Sequence, residues 1–191
     1  MDDLPKGTLD GNRPGSAARP GPITIPAIRP DGTLYPIEKM EAHEKAAFHL
    51  AVSVFVFDGD AMLVQQRAAV KYHCGGQWAN TCCTHPHWGE DLPSAAARRL
   101  HEELGFTLPL TKQRVVEYKA DVGNGLTEHE RVTMYRAEVD RTALTIVPNP
   151  DEVDDTSWMT AGELHAAIAA APETFTPWFR IYVERYPNLD F

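Results

Sequence analysis

Runs of apolar residues divide the first half of the chain into strands and turns. HLAVSVFVF (49–57) is continuously apolar and rich in β-branched residues, which predicts a buried central strand. AMLVQQR (61–67) follows across a short turn, so the two segments are predicted to pair as a hairpin. ITIPAI (23–28) before the turn PDG predicts a further short strand, and EKMEAHEKAAFH (38–49) predicts a polar loop or a short helix.

The strongest helical pattern is LPSAAARRLHEELG (92–105). Pro93 stands in its first turn, Leu100 and Leu104 are four residues apart, and Gly105 occupies the place of a C-cap glycine. Each of these features favours a helix that ends at Leu104.

Strands and helices continue to alternate after this helix. RVVEYKA and ERVTMYRAEV predict two strands around the loop DVGNGLT, VDDTSWMT predicts a short strand, and TAGELHAAIAAA and TPWFRIYVERY predict two helices. The segment 68–91 is rich in Gly, Pro and His and is predicted to be irregular, which is where functional residues tend to lie. Strands with helices on both sides of one sheet predict an α/β sandwich.

The length, hydrophobic content and net charge of the chain limit the classes of protein to which it can belong. A chain of 191 residues with 43% hydrophobic residues is the size of one domain, and we expect it to comprise residues 22–191. Residues 1–21 are rich in Pro, Gly and Asp and lack an apolar run, which predicts a disordered tail and neither a secretory signal nor a membrane anchor. The net charge of -9 argues against nucleic-acid binding.

The cysteines indicate a reducing compartment. Cys74, Cys82 and Cys83 are too few and too crowded for a disulfide framework, so the cytoplasm is the expected location. Structural zinc sites usually use CxxC spacing, and two adjacent cysteines do not readily serve one tetrahedral ion. The pair Cys82–Cys83 therefore needs another explanation.

Charged residues on helix 92–105 form two Arg–Glu pairs with a spacing of four residues. Arg98 pairs with Glu102 and Arg99 with Glu103, and the simplest interpretation is two solvated salt bridges. However, Glu90 lies eight residues before Arg98, in a loop that leads into the helix. This spacing extends the pattern beyond one helix surface.

The loop and helix together resemble the Nudix box, in which a glycine, a glutamate and the sequence REUxEExGU follow at fixed spacing. Thr84 replaces the glycine, Arg99 replaces the glutamate of REU, and Phe106 fills the last apolar place. In Nudix hydrolases the box carboxylates gather divalent cations around a diphosphate. Arg99 weakens such a metal cluster and adds a charge that can hold phosphate, so the altered box implies diphosphate binding without hydrolysis.

Histidines and carboxylates form a second candidate group, which comprises His43, His49, His85, Glu128 and Glu130. The two glutamates alternate in TEHER, so on a strand both point to one side. Three imidazoles and two carboxylates suit Mn²⁺, Zn²⁺ or Fe²⁺ better than Mg²⁺ alone. For any single histidine an ordinary loop or core position is the simpler interpretation, and spacing alone does not bring these three together.

Several motifs in order resemble the type 1 isopentenyl-diphosphate isomerases, a branch of the Nudix superfamily. They are HLAVSVFVF, RAAVK, WANTCCTHP, RRLHEELG, TEHER and the late TPW, and they extend from about Pro30 to Trp178. The resemblance implies a Nudix-type α/β/α sandwich with a mixed central sheet. It also implies an enzyme that interconverts isopentenyl and dimethylallyl diphosphate in isoprenoid biosynthesis.

The resemblance implies a role for each matching residue. The metal ligands are His43, His49, His85, Glu128 and Glu130 for Mn²⁺ or Zn²⁺, and Glu103 for a Mg²⁺ bound with the diphosphate. The catalytic residues are Cys83, Glu130 and Tyr118. The substrate-binding residues are Lys39, Arg67, Lys71 and Arg99 at the diphosphate and Trp178 at the hydrocarbon. Cys82 is then expected to pack in the core.

The implied partner is a small prenyl diphosphate, with no nucleic acid and no membrane, and the chain is expected to be a monomer or a dimer. The main alternative is a Nudix pyrophosphohydrolase that acts on a nucleoside or prenyl diphosphate. A non-catalytic zinc module is a second alternative, but it leaves Arg67 and Lys71 without a role.

Overall fold

The structure is a computed structural model that describes residues 22–191. The tail predicted for residues 1–21 lies outside the described residues. The described strands are β1 (Thr24–Ile28), β2 (Leu34–Glu38), β3 (His49–Asp58), β4 (Ala61–Arg67), β5 (Trp78–Ala79), β6 (Cys82–Thr84), β7 (Thr111–Gly123), β8 (Leu126–Glu138) and β9 (Val153–Thr160). The α-helices are α1 (Lys39–Glu44), α2 (Leu92–Leu104), α3 (Ala161–Ala170) and α4 (Pro177–Arg185).

Strand β3 is the centre of a mixed sheet. It pairs in parallel with β8, from His49 opposite Glu130 to Phe57 opposite Glu138, and β8 pairs antiparallel with β7. On its other edge β3 pairs antiparallel with β1 and with β6. The predicted mixed sheet and the central, buried β3 are confirmed.

The predicted hairpin of β3 and β4 is confirmed only at its tip. The two strands pair only at Phe57–Met62 and Asp58–Ala61, after which β4 pairs with β9 along its length. Thr81 bridges the strands where they separate: its hydroxyl donates to the Leu63 carbonyl and accepts from the Val56 amide. The prediction was incomplete because β6 occupies the edge of β3 that a full hairpin would use.

Two local predictions were wrong, and one strand was missed. The segment predicted to be irregular contains β5 and β6, and the predicted loop DVGNGLT is strand except for the turn at Asn124 and Gly125. Strand β2 was not predicted. These segments become strands because their backbones pair with distant partners, and a local sequence pattern does not report such pairing.

Alternate residues of β3 pack against helices on opposite sides of the sheet. Ala51, Phe55 and Phe57 belong to one core with α4, whereas Val52, Val54 and Val56 belong to another with Leu100 and Leu104 of α2. This gives the predicted α/β/α sandwich. Within the described chain, every helix is too short or too polar to cross a membrane.

The α2 prediction is confirmed at both ends. The Asp91 side chain caps the N-terminus by accepting from the Ser94 amide at 2.8 Å. Gly105 ends the helix with φ +78°, and a Cβ there would lie 2.9 Å from Val147. Asp91 and Gly105 therefore define where α2 begins and ends.

Candidate functional site

A cavity of about 450 Å³ opens where α1, β6, β8, α2 and α4 meet. Its lining includes the predicted site residues Lys39, Arg67, Lys71, Cys83, His85, Arg99, Glu103, Tyr118, Glu128, Glu130 and Trp178. The remaining two, His43 and His49, are fully buried beside it. The fold thus brings together residues that are far apart in the sequence.

The first part of the site is the imidazole–carboxylate cluster, which comprises His43, His49, His85, Glu128 and Glu130. Nδ1 of His43 lies 2.6 Å from the Lys39 carbonyl, and Nδ1 of His49 lies 2.7 Å from the Ala47 carbonyl. A carbonyl only accepts, so each Nδ1 carries a proton, and in the neutral imidazole the lone pair then lies on Nε2. Both rings are therefore oriented to bind a metal ion through Nε2 in their neutral form.

The lone pairs of this cluster converge on the Glu128 carboxylate. Oε2 of Glu128 lies 3.2, 3.8 and 3.7 Å from Nε2 of His43, His49 and His85. One ligand atom from each of these four residues lies within 4.8 Å of the others. Nε2 of His43, Nε2 of His49 and Oε2 of Glu128 are buried without a hydrogen-bond partner, so the donor set fits a divalent metal ion.

Glu130 lies at the edge of this cluster, with its two oxygens in different contacts. Oε1 is 2.7 Å from His85 Nε2 and 3.6 Å from His49 Nε2, whereas Oε2 accepts a 2.6 Å hydrogen bond from the Tyr118 hydroxyl. Burial raises the pKa of Tyr118 well above its usual value, so this phenol stays protonated. One carboxylate oxygen can thus face a metal while the other exchanges a proton.

The surrounding imidazoles also lower the pKa of the Glu128 carboxyl. Burial alone would raise the pKa of this carboxyl, but the surrounding imidazoles of His43, His49 and His85 hold it well below its usual range. Glu128 is therefore an anion, as a metal ligand must be.

The two adjacent cysteines point to opposite faces of the sheet. Cys82 is fully buried in the α2 core, as expected. Cys83 pairs with Ser53 on the other face, and its thiol donates to Asn80 Oδ1 at 2.9 Å and lies 3.3 Å from Ser53 Oγ. Burial raises the pKa of Cys83 to about 12, so this side chain is a neutral thiol at physiological pH.

The second part of the site is the basic cluster, which comprises Lys39, Arg67, Lys71 and Arg99. Lys71 Nζ lies 2.6 Å from Glu152 Oε2, and Arg99 also pairs with Glu152. Nε of Arg99 is 2.8 Å from Glu103 Oε1, so the predicted Arg99–Glu103 pair forms, but it is largely buried. Burial lowers the pKa of Lys39 to about 8, against the opposing effect of Glu128.

The two parts of the site meet at Trp178. Its indole is only 3% exposed, and the Arg67 guanidinium lies 5.4 Å from the ring centroid. The apolar wall of the cavity is therefore next to the basic cluster.

Sequence reasoning missed four residues of the site. Asn80 and Ser53 contact the Cys83 thiol, Glu152 pairs with two basic residues, and His73 lies 3.4 Å from Glu128 Oε1. Glu152 lies in the acidic run DEVDD, which is typical of a solvent-exposed surface. His73 follows RAAVKY directly, and its nearness to that motif was the one available signal.

Comparison with known proteins gives a family for this site. Residues 47–179 match the NUDIX domain family. The chain is 51% identical over 162 residues to an isopentenyl-diphosphate Delta-isomerase of Rhodobacter capsulatus, an alignment that covers 84% of this chain and 92% of that protein. It is 48% identical over 171 residues to an isopentenyl-diphosphate Delta-isomerase of Ruegeria pomeroyi, with 88% and 93% covered.

Solved structures share the fold at lower identity. A Deinococcus radiodurans protein superposes with a TM-score of 0.67 at 17% identity, over 85% of this chain and 98% of that one. A MutT NUDIX hydrolase of Burkholderia pseudomallei superposes with a TM-score of 0.56 at 23% identity, over 72% and 96%. At these identities the likeness confirms the Nudix fold alone.

Proposed function

The chain belongs to the isopentenyl-diphosphate Delta-isomerases of the NUDIX family, and on that premise we propose how its own residues carry out the reaction. The substrate is isopentenyl diphosphate and the product is dimethylallyl diphosphate. The reaction adds one proton at the terminal alkene carbon and removes one from the carbon on the other side of the branched centre. A tertiary carbocation lies between the two steps.

One observation carries the proposal: a single cavity is lined by the Cys83 thiol, the Glu130 carboxylate, the Trp178 indole and the basic cluster. Cys83 and Glu130 both line this cavity together with Trp178. A five-carbon diphosphate needs its charged and alkene ends close together, and the contact between Arg67 and Trp178 provides that spacing.

Cys83 and Glu130 exchange the two protons. The Cys83 thiol is neutral and holds a proton, while Glu130 Oε2 is bonded to the protonated Tyr118 hydroxyl. One group delivers a proton to the alkene and the other accepts one from the cation, so the protein's net proton count is unchanged after each turnover. Because the reaction is reversible, the two groups swap roles with direction.

Trp178 stabilises the cation. Cation–π attraction is worth about 2 kcal/mol or more at a desolvated site, and the indole is almost completely buried. Water would quench a tertiary cation, so the apolar lining protects the intermediate as well.

The imidazole–carboxylate cluster would hold Mn²⁺ or Zn²⁺, which would supply a positive charge beside the Glu130 carboxylate. Glu103, which accepts a 2.8 Å hydrogen bond from Gln65 Nε2, would hold a Mg²⁺ that accompanies the diphosphate. Lys39, Arg67, Lys71 and Arg99 bind the phosphate oxygens, which take the place of the Glu152 carboxylate at Lys71 and Arg99.

Cys83 must remain a thiol for this chemistry, which favours a reducing compartment such as the cytoplasm. In the described residues Cys74, Cys82 and Cys83 are all free.

The test is turnover of isopentenyl diphosphate in deuterated water, with Mn²⁺ and Mg²⁺ present. We expect deuterium in the product and in recovered substrate, since both steps exchange protons with groups that equilibrate with solvent. Turnover without deuterium incorporation would exclude the proposed proton addition and elimination. Release of inorganic phosphate at a comparable rate would instead favour a hydrolase.

A further inference from the structure

His73 is a fourth histidine at the imidazole–carboxylate cluster, and the family resemblance gives it no role. It lies in the loop between β4 and β5, is 5% exposed, and lines the cavity. Its Nε2 is 3.4 Å from Oε1 of Glu128, the oxygen that does not face the other three histidines. The Glu128 carboxylate is thus contacted by imidazoles on both oxygens.

The His73 ring is held in place by its neighbours. It packs edge-on against Tyr72 at 4.3 Å between ring centroids and against Trp178 at 6.0 Å, and its backbone carbonyl accepts from Arg67 Nη2 at 3.4 Å. The loop itself is bonded back to β4, where the Arg67 amide donates to the Gln77 carbonyl and the Gly76 amide donates to the Arg67 carbonyl. The direction of Nε2 is therefore set by the two ring contacts and by the hydrogen bond to the His73 backbone.

The two oxygens of Glu128 have different surroundings. Oε2 faces Nε2 of His43 at 3.2 Å and is buried without a hydrogen bond. Oε1 faces His73, whose Nδ1 is buried without a hydrogen-bond partner, so the neutral ring is satisfied only with its proton on Nε2, facing the carboxylate. A free carboxylate can rotate and bind a metal through either oxygen or both, and a donor on one oxygen prevents that.

We propose that His73 is a positioning residue for Glu128: its Nε2–H, 3.4 Å from Oε1, donates to that oxygen, which would leave Oε2 free to bind a metal ion. The proposal rests on the proposed metal site but is independent of the isomerase chemistry. It also connects the β4–β5 loop, which carries Lys71 of the basic cluster, to the metal ligand on β8.

The test measures Mn²⁺ binding to the metal-stripped full chain without substrate, from the electron paramagnetic resonance signal of free Mn²⁺. His73→Phe keeps a ring between Tyr72 and Trp178 but removes the donor, and we expect its Kd for Mn²⁺ to be about 10–100-fold weaker. His73→Gln keeps an N–H donor without an imidazole, and we expect its Kd to lie within about fivefold of wild type. His101→Leu removes an exposed histidine on α2 and should leave the Kd unchanged.

Two results would overturn the proposal. Wild-type Mn²⁺ affinity in His73→Phe would show that Glu128 needs no support from this residue. An equal loss in His73→Gln and His73→Phe would show that the imidazole itself, rather than a donated hydrogen bond, is required. Circular dichroism of the metal-free proteins checks that each variant folds, and His73→Leu replaces His73→Phe if the latter does not.

The role of His73 and the isomerase function are tested by separate measurements, so either proposal can be refuted without the other. Mn²⁺ titration uses no prenyl diphosphate, so the result for His73 is the same whether or not the chain incorporates deuterium. Conversely, a chain that isomerises its substrate with normal metal affinity in His73→Phe would keep the proposed function and lose the role of His73.

Discussion

The imidazole–carboxylate cluster and the basic cluster line the same cavity but are held in different ways. His43, His49 and Glu128 are 0–3% exposed, and the cluster depends on the pairing of β3 with β8 and on backbone carbonyls that fix two imidazoles. In the basic cluster, the Lys71 and Arg99 side chains are 17% and 19% exposed and share one carboxylate, Glu152.

The difference follows from what each cluster must do. Proton transfer and metal binding need atoms placed within a few tenths of an ångström, which strands and short buried side chains provide. A diphosphate must enter and leave, so its cations are long side chains whose internal counter-ion can be exchanged for phosphate. Substitutions should accordingly affect turnover at the first cluster and substrate affinity at the second.

The largest expected effect is at the proton-transfer groups. Cys83→Ala and Glu130→Gln should each lower kcat by about 10²–10⁴-fold, because each removes one of the two groups that exchange protons with the substrate. Steady-state kinetics with isopentenyl diphosphate measures this, and KM should change little. Cys82→Ala is the matched control, since Cys82 packs on the opposite face. Near wild-type kcat in Cys83→Ala would refute the mechanism.

Metal removal should affect both turnover and stability. Chelation leaves Nε2 of His43, Nε2 of His49 and Oε2 of Glu128 buried without partners, so activity should be lost until Mn²⁺ or Zn²⁺ is restored. An ion at 100 times its Kd adds about 2.7 kcal/mol to the free energy of unfolding, which thermal denaturation with and without metal detects. An unchanged Tm at saturating metal would contradict a site in this cluster.

At the basic cluster, Lys71→Gln and Arg99→Gln should raise KM by about 10–100-fold and change kcat much less. Each variant loses a charge-assisted hydrogen bond to phosphate, worth about 1.5–3 kcal/mol. Arg131→Gln is a suitable control, since Arg131 pairs with Glu117 on the exposed surface. A large fall in kcat at constant KM would mean that the two clusters do not divide binding and chemistry in this way.

The smallest expected effect is a change of KM with pH. Lys39 has a pKa of about 8 in the folded chain against an ordinary value of 10.5, so it loses its charge as pH rises through about 8. KM should therefore rise a few-fold, about 3–10-fold, between pH 7 and pH 9. Lys39→Arg should move this rise to higher pH, and an identical KM profile in the variant would exclude Lys39 as its origin.

The lowered pKa of Lys39 also makes the free energy of unfolding depend on pH. Between about pH 8 and 10.5 the unfolded chain binds more protons at Lys39 than the folded chain does. This residue therefore makes the folded state more stable as pH rises through that window, and the charged lysine destabilises it below about pH 8. Urea denaturation of wild type and Lys39→Met at pH 7.5 and pH 10 measures the difference.

Features with a local physical cause were predictable from the sequence. The apolar run of β3, the caps of α2 and the alternation of Glu128 with Glu130 each depend on neighbouring residues, and all three are present in the structure. The motif NTCCTHP indicated a family, and the family resemblance supplied the roles that spacing could not.

Features that depend on distant pairing were not predictable. β6 is a strand because Cys82–Thr84 pairs with the free edge of β3, and His73 reaches Glu128 from the β4–β5 loop, where it packs against Trp178 of α4. The sequence around Glu152 predicts a solvent-exposed acid, but in the structure this residue pairs with Lys71 and Arg99. A local pattern contains none of these partners.

The register of β3 with β8 places His49 directly opposite Glu130, and the register of β7 with β8 places Tyr118 opposite the same glutamate. Inserting one residue within β8 between Glu130 and Val132, with the rest of the β3–β8 ladder held in register, would turn both glutamates toward the α2 core and abolish the site in a single step. Added residues at the Asn124–Gly125 turn leave both registers intact. Chain-length variation among active relatives should therefore be found at that turn and be absent from the ladder between Glu128 and Val132.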